Sequence, residues 1–225
     1  MAGTLQIVST PIGNLDDLSP RAVEALKRAD VVACEDTRHS GRLLAHLGLK
    51  RPLVSLHEHN ERTRTPELLD RLEDGETIAL VSDAGTPLIS DPGFVLVRAA
   101  IERGLPVTAI PGPSAALAAL ALSGLPPYPA TFTGFAPRKA GKRRRFFAEL
   151  AALPHTLVVF ESPHRILACL DDAAAELGDR PAALARELTK LHEEVVRGTL
   201  SAIRNELAAR PSVKGEMVLV IHGAD

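Results

Sequence analysis

Apolar residues along this chain recur in two rhythms, and the alternation between them divides the sequence into elements. Short β-branched runs at 5–9, 31–34, 53–56, 77–82 and 107–110 read as strands. Helices are expected between them: 19–29, with Ser19 as N-cap and Pro20 in the first turn, 37–47 ended by Gly48, and 66–73 closed by Asp74 and Gly75. Two more follow at 93–103, ended by Gly104, and at 113–123. The last is apolar nearly all round, which predicts burial on most sides. Continuously apolar strands alternating with helices predict an α/β sheet covered on both faces.

The stretch 124–129, Gly-Leu-Pro-Pro-Tyr-Pro, breaks this order and reads as a proline-rich hinge. The alternation then restarts, with strands at 130–133, 156–160, 182–186, 193–197 and 216–222. Helices are expected at 142–150, 164–177 (stopped by Gly178) and 200–209. The prediction is two α/β domains, 1–123 and 130–225, with no internal repeat.

Composition narrows the function classes. With 225 residues and 45% hydrophobic content, the chain can bury a sizeable core. Formal net charge is −2, so nucleic acid can be bound only through a local patch. Aromatics are 3% with no Trp, which argues against a surface that stacks bases. Cys34 and Cys169 lie far apart without metal-type spacing, as expected in a reducing compartment. No signal-peptide pattern opens the sequence, and no segment is long and apolar enough to span a bilayer, so a cytoplasmic protein is expected.

Four Gly/Pro-rich loops follow strands, at 9–14, 82–93, 110–115 and 160–165. Ligands of α/β sheets gather at such loops. Glycine lets backbone approach a bound molecule and proline stiffens the turn. No G-x-G-x-x-G, no G-x-x-x-x-G-K-[ST] and no G-x-S-x-G occurs, which speaks against dinucleotide-binding folds, P-loop NTPases and serine hydrolases. His57 and His59 would share a face of a strand, but no third ligand is near, and a polar loop is the better reading; no metal is expected.

The segments TPIGNLDDLS, ADVVACEDTR, VSDAGTPLISDPG, IPGPSAALAALALSGLP, FESPHR and ARELTKLHEEVVRGTL, in that order, resemble the small-subunit ribosomal RNA cytidine 2′-O-methyltransferases of the tetrapyrrole-methylase superfamily. The resemblance runs from about Gly3 to Ile221. It implies two α/β domains, a homodimer, and S-adenosylmethionine in the cleft between the domains. Pro11, Ile12 and Gly13 then stand for the first cofactor loop, whose usual G-x-G-P-G-D reads Ser-Thr-Pro-Ile-Gly-Asn here. Asp83, Ala84, Gly85 and Ile89 stand for the second, and Ser114 and Ala115 for a third contact. Glu161 and Leu188 fall where the second domain closes over adenosine. A methylase acting on a porphyrinoid precursor is the alternative.

A 2′-hydroxyl is a poor acid, so a carboxylate or lysine near it should take its proton. Glu35 and Asp36 are candidates for that base, with Asp36 preferred for the mutational test. Arg38 and Lys190 are candidates for steadying phosphate or substrate. Glu35 and Asp36 read equally as an acidic helix cap, and Lys190 with Glu193 and Glu194 as a solvated charged face. Arg138, Lys139, Lys142, Arg143, Arg144 and Arg145 form the one dense basic cluster. Cations at a helix start oppose the dipole, so a loop facing RNA phosphates is expected there in preference to a solvated helix start.

Overall fold

A computed structural model describes residues 2–224 and divides them into two compact units, 1–114 and 115–225. In the first unit, strands β1 (Leu5–Val8), β2 (Val31–Cys34), β3 (Leu53–Ser55), β4 (Ile78–Val81) and β5 (Val107–Ile110) form one sheet in the order β3-β2-β4-β1-β5. Every pairing in it is parallel. Helices α1 (Pro20–Arg28) and α2 (Thr37–His46) cover one face, packing on Val8, Val32, Cys34, Ala79 and Val81. Helices α3 (Glu61–Glu73) and α4 (Phe94–Glu102) cover the other, on Leu5, Val31, Ala33, Ile78 and Leu80. The split follows from right-handed crossovers: connections running toward β3 place helices on one face, and those running toward β5 place them on the other.

The expected α/β character holds, and Ser19 caps α1 through its side chain, accepting from Ala22 N. Helix α3 departs from expectation by beginning at Glu61 and carrying Pro66 inside it. Proline marks a first turn well but tolerates a later position where one hydrogen bond is surrendered.

The second unit opens with α5 (Ala115–Ser123), which packs on strands of the second sheet. That sheet contains β6 (Ala130–Phe135), β7 (Thr156–Glu161), β8 (Pro181–Arg186), β9 (Glu194–Thr199) and β10 (Met217–Ile221), in the order β6-β7-β10-β8-β9. Only β6 and β7 pair in parallel; the others are antiparallel. Helices α6 (Ala140–Leu150), α7 (Ile166–Leu177) and α8 (Leu200–Ala208) bury the unit's main core with Leu157, Val159, Leu184, Leu219 and Ile221.

Three sequence expectations are corrected here. The division between units falls after Ser114, not at the proline-rich stretch, because Ala116, Ala119 and Ser123 of α5 are buried with the second unit. The stretch 124–129 is no free hinge: Thr156 Oγ1 donates to Pro126 O at 2.7 Å and Thr156 N to Pro129 O at 3.0 Å. Helix α5 is also not buried on most sides, since Leu117 is 69% exposed and Leu122 is exposed as well. Its small residues face inward, which an apolar pattern without polar positions cannot reveal.

Candidate active site

In the first unit, β4 lies between β2 and β1, yet its following helix lies on the opposite face from theirs. Such a reversal opens a crevice at the carboxyl ends of the strands, where parallel sheets take ligands. The loops after β1, β4 and β5 meet there. Thr10 N donates to Gly85 O (2.8 Å), Gly85 N returns a bond to Thr10 O (3.1 Å), and Thr10 Oγ1 donates to Ser82 O (3.1 Å). The hydroxyls of Ser9 and Thr86 lie 3.0 Å apart, and Thr86 Oγ1 donates to Pro113 O at 3.3 Å.

Two glycines serve this loop packing. Gly85 has φ +79°, and a Cβ on it would stand 3.3 Å from Ile12 Cγ2; one on Gly112 would fall 2.8 Å from Ser9 Cβ. The molecule these glycines let approach is a neighbouring loop of the same unit. Ile12 is buried, whereas Gly13, Ala84 and Ile89 are exposed and Pro11, Asp83, Ser114 and Ala115 half-buried. Leu88 and Ser90, neither a glycine, also take positive φ, +73° and +66°.

Carboxylates from two strand ends face this mouth. Asp36 is the N-cap of α2: its Oδ1 accepts from Arg38 N at 2.8 Å, and Arg38 Nη2 binds Oδ2 at 2.7 Å. The Arg38 side-chain and backbone bonds hold the Asp36 carboxyl well below the usual range. Asp36 and Arg38 are therefore committed to each other, which leaves Asp36 a weak base. Glu35 differs. Burial, then the charge of Asp83, raises its pKa. Asp36 N donates to Asp83 Oδ1 at 3.3 Å, joining the two strand ends.

Asp91, which the sequence reading passed over, belongs to the same group. Burial and the charge of Glu35 push it up to about 6. Its signal was present, since it is a carboxylate inside the 82–93 loop, but it read as one more turn residue. A raised folded pKa means the folded state holds the proton longer, so stability falls as pH rises from the ordinary aspartate range toward 6. Asp91→Asn is thus expected to melt at a higher temperature than the unsubstituted chain above pH 6, with the gap closing toward pH 4. A melting series across that range checks it; a gap that widens on acidification refutes the placement.

The remaining sequence candidates lie in the second unit. Since β6, β7 and β8 run the same way, their carboxyl ends share one edge, with Glu161 and Arg186 both opposite Met217. Glu161 has no exposed side chain: its Oε1 accepts from Ser162 N at 2.7 Å and pairs with Arg165 at 2.6 Å. Its other oxygen, Oε2, is buried without a hydrogen-bond partner. Leu188 is buried between Glu187 and Thr189, both at positive φ. Lys190 Nζ pairs with Glu187 at 3.0 Å and Glu216 at 2.9 Å, and Thr189 N donates to Glu193 Oε2 at 2.6 Å. Lys190 is therefore paired, while its partner Glu216 and the neighbouring Glu193 are exposed. In the first unit, the His57 and His59 rings lie edge to face, centroids 6.0 Å apart, and no group of three or more metal-type ligands occurs among the described residues.

The basic cluster divides. Arg143 is buried and pairs with buried Asp172 at 2.7 Å, so it is removed from any phosphate-binding role. Arg144 binds the other oxygen of Asp172 at 2.8 Å. Arg138, Lys139, Lys142 and Arg145 remain exposed. A run of like charges does not show which member turns inward; α6 winds one of them onto α7.

The model of the tetrapyrrole (corrin/porphyrin) methylases matches residues 4–204 of this chain. The ribosomal RNA small subunit methyltransferase I of Xylella fastidiosa (strain Temecula1) is 53% identical over 224 residues, which is 99% of this chain and 82% of that protein. The chain belongs to this methyltransferase family. The enzyme of the same name from Streptococcus pyogenes serotype M1 is 48% identical over 223 residues, covering 99% of this chain and 77% of that one. Among solved structures, a diphthine synthase superposes with a TM-score of 0.72 at 18% identity, covering 98% of this chain and 90% of that one. A cobalt precorrin-4 methyltransferase gives 0.68 at 20% identity, covering 96% and 94%. These two share the fold of class III methyltransferases, two α/β units, and no more. No helix among the described residues is long and apolar enough to cross a membrane.

Proposed function

We propose that this methyltransferase uses S-adenosylmethionine to methylate the ribose 2′-hydroxyl of a cytidine in small-subunit ribosomal RNA. The observation that carries the reading is identity of about half, over nearly the whole chain, to enzymes named for small-subunit ribosomal RNA. The porphyrinoid alternative draws on the description of the family model and on neighbours that are 20% identical, and the latter speak to fold only.

The donor chemistry of the site fits such a cofactor. S-adenosylmethionine carries positive charge at sulfur and at its ammonium group, and Glu35, Asp83 and Asp91 gather carboxylates at the carboxyl ends of β2 and β4. When bound, it supplies a methyl carbon already activated for in-line displacement. The loops of Pro11–Gly13 and Asp83–Ile89, with Ser114 and Ala115 after β5, would hold it. The chain's own task is to align the hydroxyl, exclude water and remove a proton. Glu35 is the base this reading favours, because burial and the charge of Asp83 raise its pKa and make its carboxylate more basic than that of Asp36. A homodimer working in the cytoplasm, on RNA held by the exposed cations of 138–145, completes the reading.

Tritiated methyl transfer from S-adenosylmethionine to unmodified small ribosomal subunits, beside naked ribosomal RNA, tests it. Label is expected in the RNA of the particles, in a nucleotide resistant to alkaline hydrolysis at its 3′ side. No transfer to either substrate overturns the reading.

A further inference from the structure

Helix α2 turns one kind of polar side chain outward. At about 100° per residue, Arg38, His39, Arg42 and His46 fall within an arc of about 100°, with only Ala45 among them. The arc lies opposite Ser40 and Leu44, the residues α2 buries, and all four side chains are exposed. No acidic residue occurs between Asp36 and Glu58, although 28 of the 225 residues are acidic, so this strip is no average surface. Solvated helix faces ordinarily mix both signs in pairs one turn apart. Helix α1 does so with Arg28 and Glu24, and α4 with Arg98 and Glu102; α2 does not.

The charges also stand against the local field. Arg38 and His39 lie in the first turn of α2, where positive charge opposes the helix dipole. Asp36 offsets only Arg38, which gives it Nε and Nη2 and still leaves its side chain 84% exposed. Arg42, His46 and Lys50 have no ion pair among the described residues. Beyond the helix the strip goes on: Arg51 Nη2 donates to Lys27 O, which brings the turn after α2 against the end of α1, where Lys27 is exposed. Its other end is the candidate site. Glu35 and Asp36 directly precede α2, and Asp36 N donates to Asp83 Oδ1, so Arg38 stands at the carboxylate mouth and His46 about 12 Å further along the axis. A methyl acceptor set in a polyanion has to reach that mouth while its phosphates stay clear of the carboxylates. A cationic strip leading away from the mouth meets that need. An acidic protein surface would match the charge but not its starting point.

We infer that the outward face of α2, with Arg42 at its centre and Lys50 and Lys27 prolonging it, is a track on which phosphates of the RNA substrate lie while the target ribose enters the mouth. This rests on the reading of RNA as the substrate, and it adds a surface of the first unit to the cations of 138–145 in the second. Spacing by three and four residues hid the track in the sequence; one helix face gathers it.

The test measures binding of the full chain to naked small-subunit ribosomal RNA and to small subunits over a range of salt, with methyl-transfer kinetics on the particles. R42A/K50A should flatten the plot of log affinity against log salt by about 1.4–1.8, the share of two phosphate contacts on single or double strands. Taken from convergence at about 1 M, that is about 25- to 60-fold weaker binding at about 0.1 M salt. KM for subunits should rise while kcat stays within a few-fold, the mark of lost uniform binding. R62A/R98A removes the same charge from exposed positions of α3 and α4, on the opposite face of the sheet, and should leave slope and KM unchanged. An equal loss in R62A/R98A would make the effect one of net charge and overturn the track. An unchanged slope in R42A/K50A would overturn it too; if K142A/R145A then flattens the slope, RNA remains the substrate and only the α2 track falls. Weaker binding to particles with parental binding to naked RNA would assign the face to a ribosomal protein and likewise end the proposal. If the unsubstituted chain neither binds RNA nor methylates subunits, the substrate reading falls and takes the track with it.

Discussion

Glu35→Gln is expected to slow single-turnover methyl transfer by about a hundred- to ten-thousand-fold under saturating S-adenosylmethionine, the usual contribution of a general base. Gln keeps the size and hydrogen bonding of Glu35 but cannot take a proton. The neighbouring change, Asp36→Asn, should leave the rate within a few-fold. Asp36 spends its carboxylate on Arg38 and on capping α2, and those bonds hold it acidic. The unsubstituted rate should fall as pH drops through the raised pKa of Glu35, because the protonated carboxyl cannot accept. Glu35→Gln should lose that limb of the profile. A dead Asp36→Asn with an active Glu35→Gln would reverse the assignment. Near-full rates in both would mean that alignment alone suffices.

The largest stability effect is expected from Asp172. Its carboxylate receives Arg143 Nε at 2.8 Å and Arg144 Nε at 2.8 Å, in a site where both the Arg143 and Asp172 side chains are at least nine-tenths buried. Burial works against the Asp172 charge, but the bonds from Arg144 and Arg143 outweigh it and hold the carboxyl below its usual range. Asp172→Ala leaves a buried guanidinium with only the carbonyls of Pro137 and Arg138 for partners. Orphaning one member of a buried pair costs about 3–5 kcal/mol. In a chain of this length that lowers the melting temperature by about 10 °C. Replacing both, as R143M/D172L, should recover most of the loss, since apolar residues of similar volume often substitute for a buried pair without penalty. The stabilisation is present above the ordinary aspartate pKa and is lost as pH falls through the depressed one. A melting curve of Asp172→Ala indistinguishable from the parent would end the argument.

Much of the fold was legible because strands here are short and apolar on both sides, so β2 and β4 stand out against amphipathic helices. Capping was legible where the side chain is its own signal, as at Ser19. Three things were not. Helix α3 starts five residues ahead of Pro66 because its first turn is polar and lacks an apolar rhythm. Helix α5 joins the second unit because alanine contacts, invisible in hydropathy, choose its partner sheet. The antiparallel character of most of the second sheet leaves no mark on strands that are equally apolar. At the site, the loops were found from glycine and proline alone. The difference in basicity between Glu35 and Asp36 was not, since it depends on which carboxylate Arg38 reaches. Arg143 likewise could be told from Arg145 only by where one turn of α6 points it.

The 82–93 loop is fastened near its start and at its end, with Thr86 held by Ser9 and Asp91 by Ser82 between them. Near its start, Gly85 is bonded to Thr10 in both directions; at its end, Glu61 Oε1 accepts from Gly93 N at 2.9 Å and Val95 N at 2.8 Å. Between those points stand Leu88 and Ser90 in left-handed conformations, each costing of order 1–3 kcal/mol. Opening of this segment releases that strain but uncovers Pro87, Leu88 and Asp91, and the two clasps confine it to about seven residues. In amide hydrogen exchange, such a stretch forms its own low-energy unit, opening far more often than β4 before it or α4 after it. The loop that lies against the carboxylates can thus loosen and close again without either strand or helix unfolding.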